Sequence, residues 1–176
     1  MGMRLMAARV GTVALLIVGG LVVVGFHVDA AARCTIKGTS GPDNLTGTAG
    51  ADRICGLGGD DTIAGWHGDD TLYGDDGNDS LDGGIGNDTL IGGKNADSEF
   101  GSFGTDTLKG NHGNDAVLMG GKSADTIVGG EGNDSLDGGF GADSIDSQDG
   151  QTDTVDGAQG IDVCTTDVQD AVSNCP

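Results

Sequence analysis

The chain has 176 residues, of which 36 are glycine and 28 are acidic, against 8 lysines and arginines, and its formal net charge is −20 at pH 7. Glycine at one residue in five is roughly three times its usual share of ~7% and excludes an ordinary helical domain, because glycine is a poor helix former. The acidic balance argues against binding nucleic acid or an anionic membrane through surface charge. Two interpretations are left: an acidic disordered chain, or a glycine- and aspartate-rich repeat that folds around cations.

The N-terminal segment has the organisation of a secretory signal peptide. Arg4 and Arg9 precede an apolar run over 10–24, and the small residues Ala30, Ala31 and Ala32 fit a cleavage site after Ala32 or after Ala30. The alternative is an uncleaved membrane anchor, but the run of 15 residues is shorter than the ~20 that span a bilayer. We predict that 1–32 is removed, that the protein is secreted and extracellular, and that it has no membrane contact after cleavage.

The remaining part, 33–176, is acidic and poor in apolar residues. It has 27 acidic and 6 basic side chains, and Leu, Ile, Val and Phe make up about 17% of it. A share under ~20% together with high net charge is typical of intrinsic disorder. Composition alone therefore predicts no fold.

The order of residues changes that conclusion, because the sequence repeats every nine residues from Gly38 to Thr165. There are 14 units, with two extra residues that we assign to Met119 and Ser147 and interpret as bulges. The sixth column is Asp in all 14 units, the first and fourth columns are Gly in 13 and 11, and the eighth is Leu, Ile or Val in 12. A complete Asp column indicates a repeat protein.

Each column has a physical interpretation. Glycine in the first and fourth columns allows positive φ and a tight turn, and the polar–apolar alternation of the last three columns predicts a three-residue strand with one inward side chain. Two units return the chain to its starting side, so coils of 18 residues stack with strands ~4.8 Å apart. The sequence predicts an all-β solenoid whose core is the aliphatic eighth column.

Stacked coils bring the aspartates of the sixth column into rows along the edges. Unit charges ~5 Å apart repel by ~0.8 kcal/mol in bulk water and by more near a protein surface, so such rows require cations between them. Oxygen-only ligands favour Ca²⁺ over Mg²⁺, which demands octahedral geometry, and over zinc, which prefers His and Cys. Because the core is thin and the chain repels itself, we expect it to be largely unfolded without Ca²⁺ and to fold on binding.

The units GGIGNDTLI (83–91) and GGEGNDSLD (129–137) match the G-G-x-G-x-D-x-U-x pattern of RTX, or haemolysin-type, calcium-binding repeats. The chain resembles this family over 38–165. The resemblance implies a parallel β-roll with calcium-filled turns, in which sixth-column aspartates and turn carbonyls bind on the order of 8–12 Ca²⁺ ions between units n and n+2. The implied ligands are Asp43, Asp52, Asp61, Asp70, Asp79, Asp88, Asp97, Asp106, Asp115, Asp125, Asp134, Asp143, Asp153 and Asp162.

Three units depart from the pattern. Unit 92–100 has Asn95 in place of the fourth glycine and Glu99 in place of the inward aliphatic residue. Unit 148–156 lacks both turn glycines, and Ser123 replaces the turn glycine of another unit. A carboxylate in the core column is costly unless it is paired. We therefore expect these units to have the weakest sites or empty ones.

The four cysteines fit an exported chain, and they allow three disulfide connectivities. Cys34 and Cys55 bracket the first two units, whereas Cys164 and Cys175 bracket the last strand and the tail. Because the ends of a solenoid need capping, we favour Cys34–Cys55 and Cys164–Cys175. Free thiols and a zinc site are the alternatives, although the C-x₂-C spacing of zinc sites is missing.

The predicted organisation is a signal peptide (1–32), a β-roll (33–165) and a C-terminal cap (166–176). The repeats begin five residues after the cleavage site and 11 residues follow the last unit, which leaves no room for the catalytic domain that many RTX proteins carry. We predict a secreted calcium-binding protein that is not an enzyme. The alternatives are the calcium-binding module of a secreted enzyme system and a cell-surface adhesin; the sequence identifies no protein or polysaccharide partner.

Overall fold

The computed structural model describes residues 14–18, 21–25 and 34–176, and the chain divides into two units, Met1–Arg33 and Cys34–Pro176. In the first unit, strand β1 (Ala14–Val18) pairs in antiparallel fashion with β2 (Leu21–Gly25). The rest of the predicted signal peptide lies outside the described residues. Within the described ranges, no helix has the length and apolar character that crossing a bilayer requires.

The second unit is built from β-strands joined by short turns. In chain order its strands are β3 (Ile36–Lys37), β4 (Asn44–Thr46), β5 (Arg53–Gly58), β6 (Thr62–His67), β7 (Thr71–Asp76), β8 (Ser80–Ile85), β9 (Thr89–Lys94), β10 (Ser98–Phe103), β11 (Thr107–His112), β12 (Val117–Lys122), β13 (Thr126–Glu131), β14 (Ser135–Gly141), β15 (Ser144–Asp146), β16 (Thr154–Asp156), β17 (Gln159–Gly160), β18 (Val163–Thr165) and β19 (Ala171–Ser173). They form two parallel sheets. One has the order β19-β16-β14-β12-β10-β8-β6-β4, with β17 beside β14, and the other has the order β18-β15-β13-β11-β9-β7-β5-β3.

Successive strands alternate between the two sheets, so each coil of about 18 residues adds one strand to each sheet, and about eight coils stack. Ile54 of β5 pairs with Leu72 of β7, which pairs with Leu90 of β9. Equivalent residues of neighbouring coils therefore lie side by side. The predicted all-β fold, a parallel β-roll or β-solenoid, is confirmed.

The core is a stack of single inward-facing side chains between the two sheets. Its fully buried apolar members are Ile54, Ile63, Leu72, Leu81, Leu90, Leu108, Leu118, Ile127, Leu136, Ile145 and Val155. Ile36 and Leu45 pack on it from the first strands, and Cys164 and Cys175 pack on it from the last. The eighth-column prediction is confirmed, with one exception.

The exception lies in the unit with the first extra residue. That residue is Ala116 and not, as predicted, Met119. Met119 pairs with Phe100 as an ordinary strand residue, and Leu118, not Val117, is the buried core residue. The extra residue therefore lies immediately before β12. The prediction was wrong because Val117 and Leu118 are both aliphatic, so either fits the core column in a sequence alignment.

The second extra residue lies in the turn after Ser147, because Ser147 itself takes the first column. Its backbone N–H donates to Thr165 O at 3.0 Å, in the same way that the N–H of Gly47 donates to a carbonyl one coil later. Gly150 follows in the turn with φ of 86°. The prediction that this unit lacks both turn glycines is therefore wrong for the fourth column, which Gly150 fills, whereas the first column has Ser147 instead of glycine.

Strands β5 to β14 are longer than the predicted three residues, and the turns between them are shorter. Strand β6 runs through the first-column Gly65, so only three residues separate it from β7. Positive φ occurs in the second and fourth columns, as at Trp66 (81°) and Gly68 (113°), and not in the first. The first-column glycines are needed for space, and the prediction that they supply positive φ is wrong.

The two disulfides are Cys34–Cys55 and Cys164–Cys175, which confirms the pairing that we favoured. The first bond joins the residues before β3 to β5. The second joins β18 to the tail beyond β19. Both ends of the roll are thus covalently closed.

Candidate cation sites

The predicted aspartates form two rows, one along each edge of the roll. In each row the backbone N–H of one aspartate donates to Oδ1 of the aspartate one coil later, as from Asp61 to Asp79 and from Asp79 to Asp97, both at 2.8 Å. One row contains Asp43, Asp61, Asp79, Asp97, Asp115, Asp134 and Asp153; the other contains Asp52, Asp70, Asp88, Asp106, Asp125, Asp143 and Asp162. The expected placement of carboxylates one strand spacing apart is confirmed.

The second carboxylate oxygen, Oδ2, has no hydrogen-bond partner in twelve of these side chains, those from Asp61 to Asp162. All twelve side chains are buried. The exceptions are Asp43 and Asp52 in the first coil, whose Oδ2 atoms accept the backbone N–H and the hydroxyl of Thr39 and Thr48, respectively. A buried acceptor without a donor is unfavourable, so the twelve oxygens need a positively charged or hydrogen-donating partner.

Several of these Oδ2 atoms border the same space as a backbone carbonyl oxygen. A Cβ added to Gly65 would stand 2.5 Å from Asp70 Oδ2 and 2.6 Å from Gly83 O. A Cβ added to Gly120 would stand 2.6 Å from Asp125 Oδ2 and 2.8 Å from the first-column carbonyl oxygen of the next coil. The first-column glycine thus leaves a space that is bordered by a carboxylate oxygen and a carbonyl oxygen.

Burial raises the pKa of the aspartates in the middle of each row above the ordinary value. The pKa reaches about 6 at Asp79 and Asp88, where neighbouring carboxylates add to the effect of burial. It reaches about 7 at Asp97 and Asp125 for the same two reasons. The backbone N–H bonds to these side chains act in the opposite direction but do not offset burial. Without a cation, burial in the fold therefore shifts these carboxyl groups toward the protonated form relative to free aspartate.

The donor set along the rows consists of oxygen atoms. Among residues 14–18, 21–25 and 34–176, no group of three or more His, Cys, Asp or Glu side chains is arranged to hold a metal ion. A cation in a row would therefore be bound by one or two carboxylates together with backbone carbonyls. Ca²⁺ accepts 6–8 such oxygens in flexible geometry, whereas Mg²⁺ requires an octahedron and zinc prefers nitrogen and sulfur. The residues present fit Ca²⁺.

A second ladder, in the fifth column, was missed in the sequence analysis. Asp60 Oδ1 accepts the backbone N–H of Asn78 at 2.9 Å, and Asn78 Oδ1 accepts that of Ala96 at 3.2 Å. Here each side chain bonds to the coil that follows it, the reverse of the sixth column. The frequent Asp and Asn in the fifth column is the signal that could have identified this ladder, which ties successive turns together.

Asp170 extends one row beyond the repeats and was also missed. Its Oδ1 accepts the Asp153 N–H at 3.1 Å, and its Oδ2 accepts the Ser147 hydroxyl at 2.9 Å and the Asp167 N–H at 2.7 Å. Both oxygens have donors, so this carboxylate ends the row instead of leaving a free oxygen. The sequence DAVS at 170–173 repeats the D-x-U-x pattern and could have revealed it.

Two of the departures from the repeat keep the turn conformation. Asn95 and Ser123 take φ of 76° and 82° in the fourth column, where other units have glycine. Asn tolerates this conformation better than most residues. Glu99, which lies in the same unit as Asn95, is fully buried, and burial raises its pKa to about 8, with the charge of Asp115 adding to the effect.

The repeats match a known family. Four copies of the RTX calcium-binding nonapeptide repeat match at 35–66, 67–99, 100–118 and 116–145, which together cover more than half of the chain. No curated protein matches the chain. The spacing of the aspartates, the roll and the repeat match agree with one another. The chain belongs to the RTX calcium-binding nonapeptide repeat family.

Proposed function

We propose that the chain is a secreted protein that binds several Ca²⁺ ions along its two rows of aspartates and folds into its roll as they bind. One observation carries the proposal. Twelve buried Oδ2 atoms have no hydrogen-bond partner, and at several first-column glycines a backbone carbonyl oxygen borders the same space, as Gly83 O does beside Asp70 at Gly65.

Two partners could satisfy such an oxygen: a proton on the carboxylate, or a cation. At pH 7.5 a pKa of about 6 or 7, as at Asp79 and Asp97, leaves the carboxylate mainly ionised. Neighbouring charges in a row then repel one another in a poorly solvated setting. Bound Ca²⁺ would supply the opposing charge and accept the carbonyl oxygens as well, which a proton does not do.

We propose the fourteen aspartates of the sixth column as the ligand set, with on the order of 8–12 ions per chain. Asp43 and Asp52 would contribute least, because their Oδ2 atoms already have threonine donors. The other twelve aspartates, from Asp61 to Asp162, would contribute most, since their Oδ2 atoms have no other partner.

Folding would be coupled to binding because the apolar core is thin and the chain is strongly acidic. Most strands give one apolar residue to a narrow core, and residues 33–176 carry 27 acidic against 6 basic side chains. Ions that bind only the folded state stabilise it by mass action. A metal-free chain would therefore lose most of its structure at neutral pH.

Export by a cleaved signal peptide at 1–32 is part of the proposal. Proteins with these repeats are typically extracellular, and two disulfides fit an oxidising compartment. The repeat is a calcium-binding element rather than a catalytic one, and we propose no catalytic role for this chain.

The test is isothermal titration of the purified, disulfide-bonded protein with Ca²⁺ and, separately, with Mg²⁺. We expect roughly 8–12 Ca²⁺ per chain, with Mg²⁺ binding far more weakly. Fewer than about four Ca²⁺ per chain, or equal binding of the two ions, would contradict the proposal.

A further inference from the structure

Glu99 stands in the core column, where the neighbouring strands have leucine. It pairs with Leu81 on one side and Leu118 on the other, and its side chain is 0% exposed. A lone carboxylate in an apolar stack is strongly unfavourable. The side chain must therefore be satisfied by something within the roll.

The two carboxylate oxygens of Glu99 have different surroundings. Oε2 accepts the backbone N–H of Lys109 at 3.1 Å. Oε1 has no hydrogen bond of normal geometry, although the nearby Gly92 N–H acts to lower the pKa of this carboxyl, and Oε1 lies 2.8 Å from the point at which a Cβ on Gly92 would stand. Asp97 Oδ2, which also lacks a partner, borders the same point.

The Cβ position of the first-column glycine has an equivalent in other coils. At Gly65 and Gly120 it is bordered by one carboxylate oxygen and one carbonyl oxygen. At Gly92 the two nearest oxygens belong to two carboxylates. The space beside Gly92 thus gains a second negative side chain, which reaches it from inside the core.

We propose that Glu99 Oε1 and Asp97 Oδ2 bind the same Ca²⁺ ion, and that this site is the tightest of the roll. The proposal rests on the calcium binding proposed above. Calcium affinity rises with the number of charged ligands and with the rigidity of the site, and a fully buried carboxylate on a central strand adds to both. In the sequence, Glu99 is only a departure from the aliphatic column, from which we expected a weak or empty site here.

The opposing explanation is that Glu99 is a buried misfit without a ligand role. The two explanations predict opposite effects of Glu99→Leu, which restores the aliphatic column. If Glu99 is a misfit, the substitution stabilises the folded state and tightens calcium binding at all sites through linkage. If Glu99 is a ligand, the substitution weakens the binding of the first Ca²⁺ ion, even though it improves the packing of the core.

The experiment is calcium titration of the native protein, Glu99→Leu and Glu99→Gln, with total bound calcium measured after dialysis at limiting calcium. Glu131→Gln is the matched control, because Glu131 is exposed and pairs with His112 on the surface. We expect the first ion to bind at least about tenfold more weakly in both Glu99 variants, and unchanged in Glu131→Gln.

Unchanged or tighter binding of the first ion in Glu99→Leu would overturn the inference while leaving the proposed function intact. A native protein that binds no calcium would overturn both. Equal weakening in Glu131→Gln would also overturn the inference, because it would show that the loss of any negative charge has the same effect.

Discussion

The backbone N–H of Asp79 donates to Oδ1 of Asp97 at 2.8 Å, and the other oxygen of Asp97 is buried without a partner. One hydrogen bond per coil thus fixes the orientation of the carboxylate and leaves its second oxygen for another ligand. Repeated along both edges, this arrangement orients the second oxygens of each row in the same way.

Replacing one aspartate by asparagine separates the two roles of the side chain. In the native chain Asp106 Oδ1 accepts the Asp88 N–H at 2.7 Å, and the side-chain oxygen of Asp106→Asn can still do so. The NH₂ group of the variant takes the place of Oδ2 beside Gly120 O. We expect the loss of about one bound Ca²⁺ and a metal-free fold that is more stable than that of the native chain, since the amide donates to the carbonyl. Titration calorimetry and circular dichroism in chelator measure the two effects.

The control for this variant is Asp146→Asn, because Asp146 is exposed and its Oδ1 accepts the Gln148 N–H. It removes the same charge away from the rows. Equal loss of calcium in both variants would show that net charge, and not the row geometry, controls binding.

The pH dependence of the metal-free chain follows from the raised pKa values. The pKa of Asp97 is about 7 and that of Asp79 about 6, against an unfolded value of about 3.9. A group whose pKa is raised on folding stabilises the fold below its unfolded pKa and loses that contribution as the pH rises through the folded pKa. Metal-free protein should therefore gain β structure between pH 7.5 and about 5, and calcium affinity should fall over the same range.

Circular dichroism in chelator across this range provides the measurement. A control series in saturating calcium should change little near pH 7, because the ions replace the protons. Loss of β structure by the metal-free chain on acidification would contradict the assignment of the buried carboxylates as the titrating groups.

The first-column glycines should not tolerate a side chain. In Gly65→Ala the new Cβ would stand 2.5 Å from Asp70 Oδ2 and 2.6 Å from Gly83 O, so the strand must shift and the space for an ion is lost. We expect destabilisation by about 1–3 kcal/mol in urea denaturation with calcium, together with weaker calcium binding. Gly50→Ala is the matched control, because nothing lies within 4 Å of its Cβ position; equal effects of the two substitutions would refute the steric explanation.

The C-terminal disulfide should protect the last strands in particular. Replacing Cys164 and Cys175 by serine opens a bond between residues 11 apart and should cost about 2–4 kcal/mol. We expect amide hydrogen exchange to accelerate first in β18 and β19, which form the end of the two sheets. The corresponding Cys34 and Cys55 double variant should instead affect β3 to β5, and faster exchange that is uniform over the roll in either variant would contradict local capping.

Much of the fold could be predicted because each coil repeats the same local instructions. The periodic Asp and the alternation around residues such as Leu72 specify the coil length and the inward column. The predicted register was wrong in the two coils that contain an extra residue. Val117 and Leu118 are both suitable for the core, so only pairing with β10 shows which one enters it.

The role of the first-column glycine could not be predicted because two physical reasons for glycine look alike in a sequence. Positive φ and lack of space both exclude other residues, and the structure shows that the second reason applies at Gly65. The direction of Glu99 was equally hidden. A sequence shows a carboxylate in an apolar column, but not that one of its oxygens reaches the space beside Gly92.

The most direct measurement of the central claim is far-ultraviolet circular dichroism of the disulfide-bonded protein at pH 7.5, first in excess chelator and then with calcium added back. We expect a largely unfolded spectrum in chelator, a β spectrum after calcium is restored, and no such recovery with an equal concentration of Mg²⁺. A β spectrum that persists in chelator would contradict it.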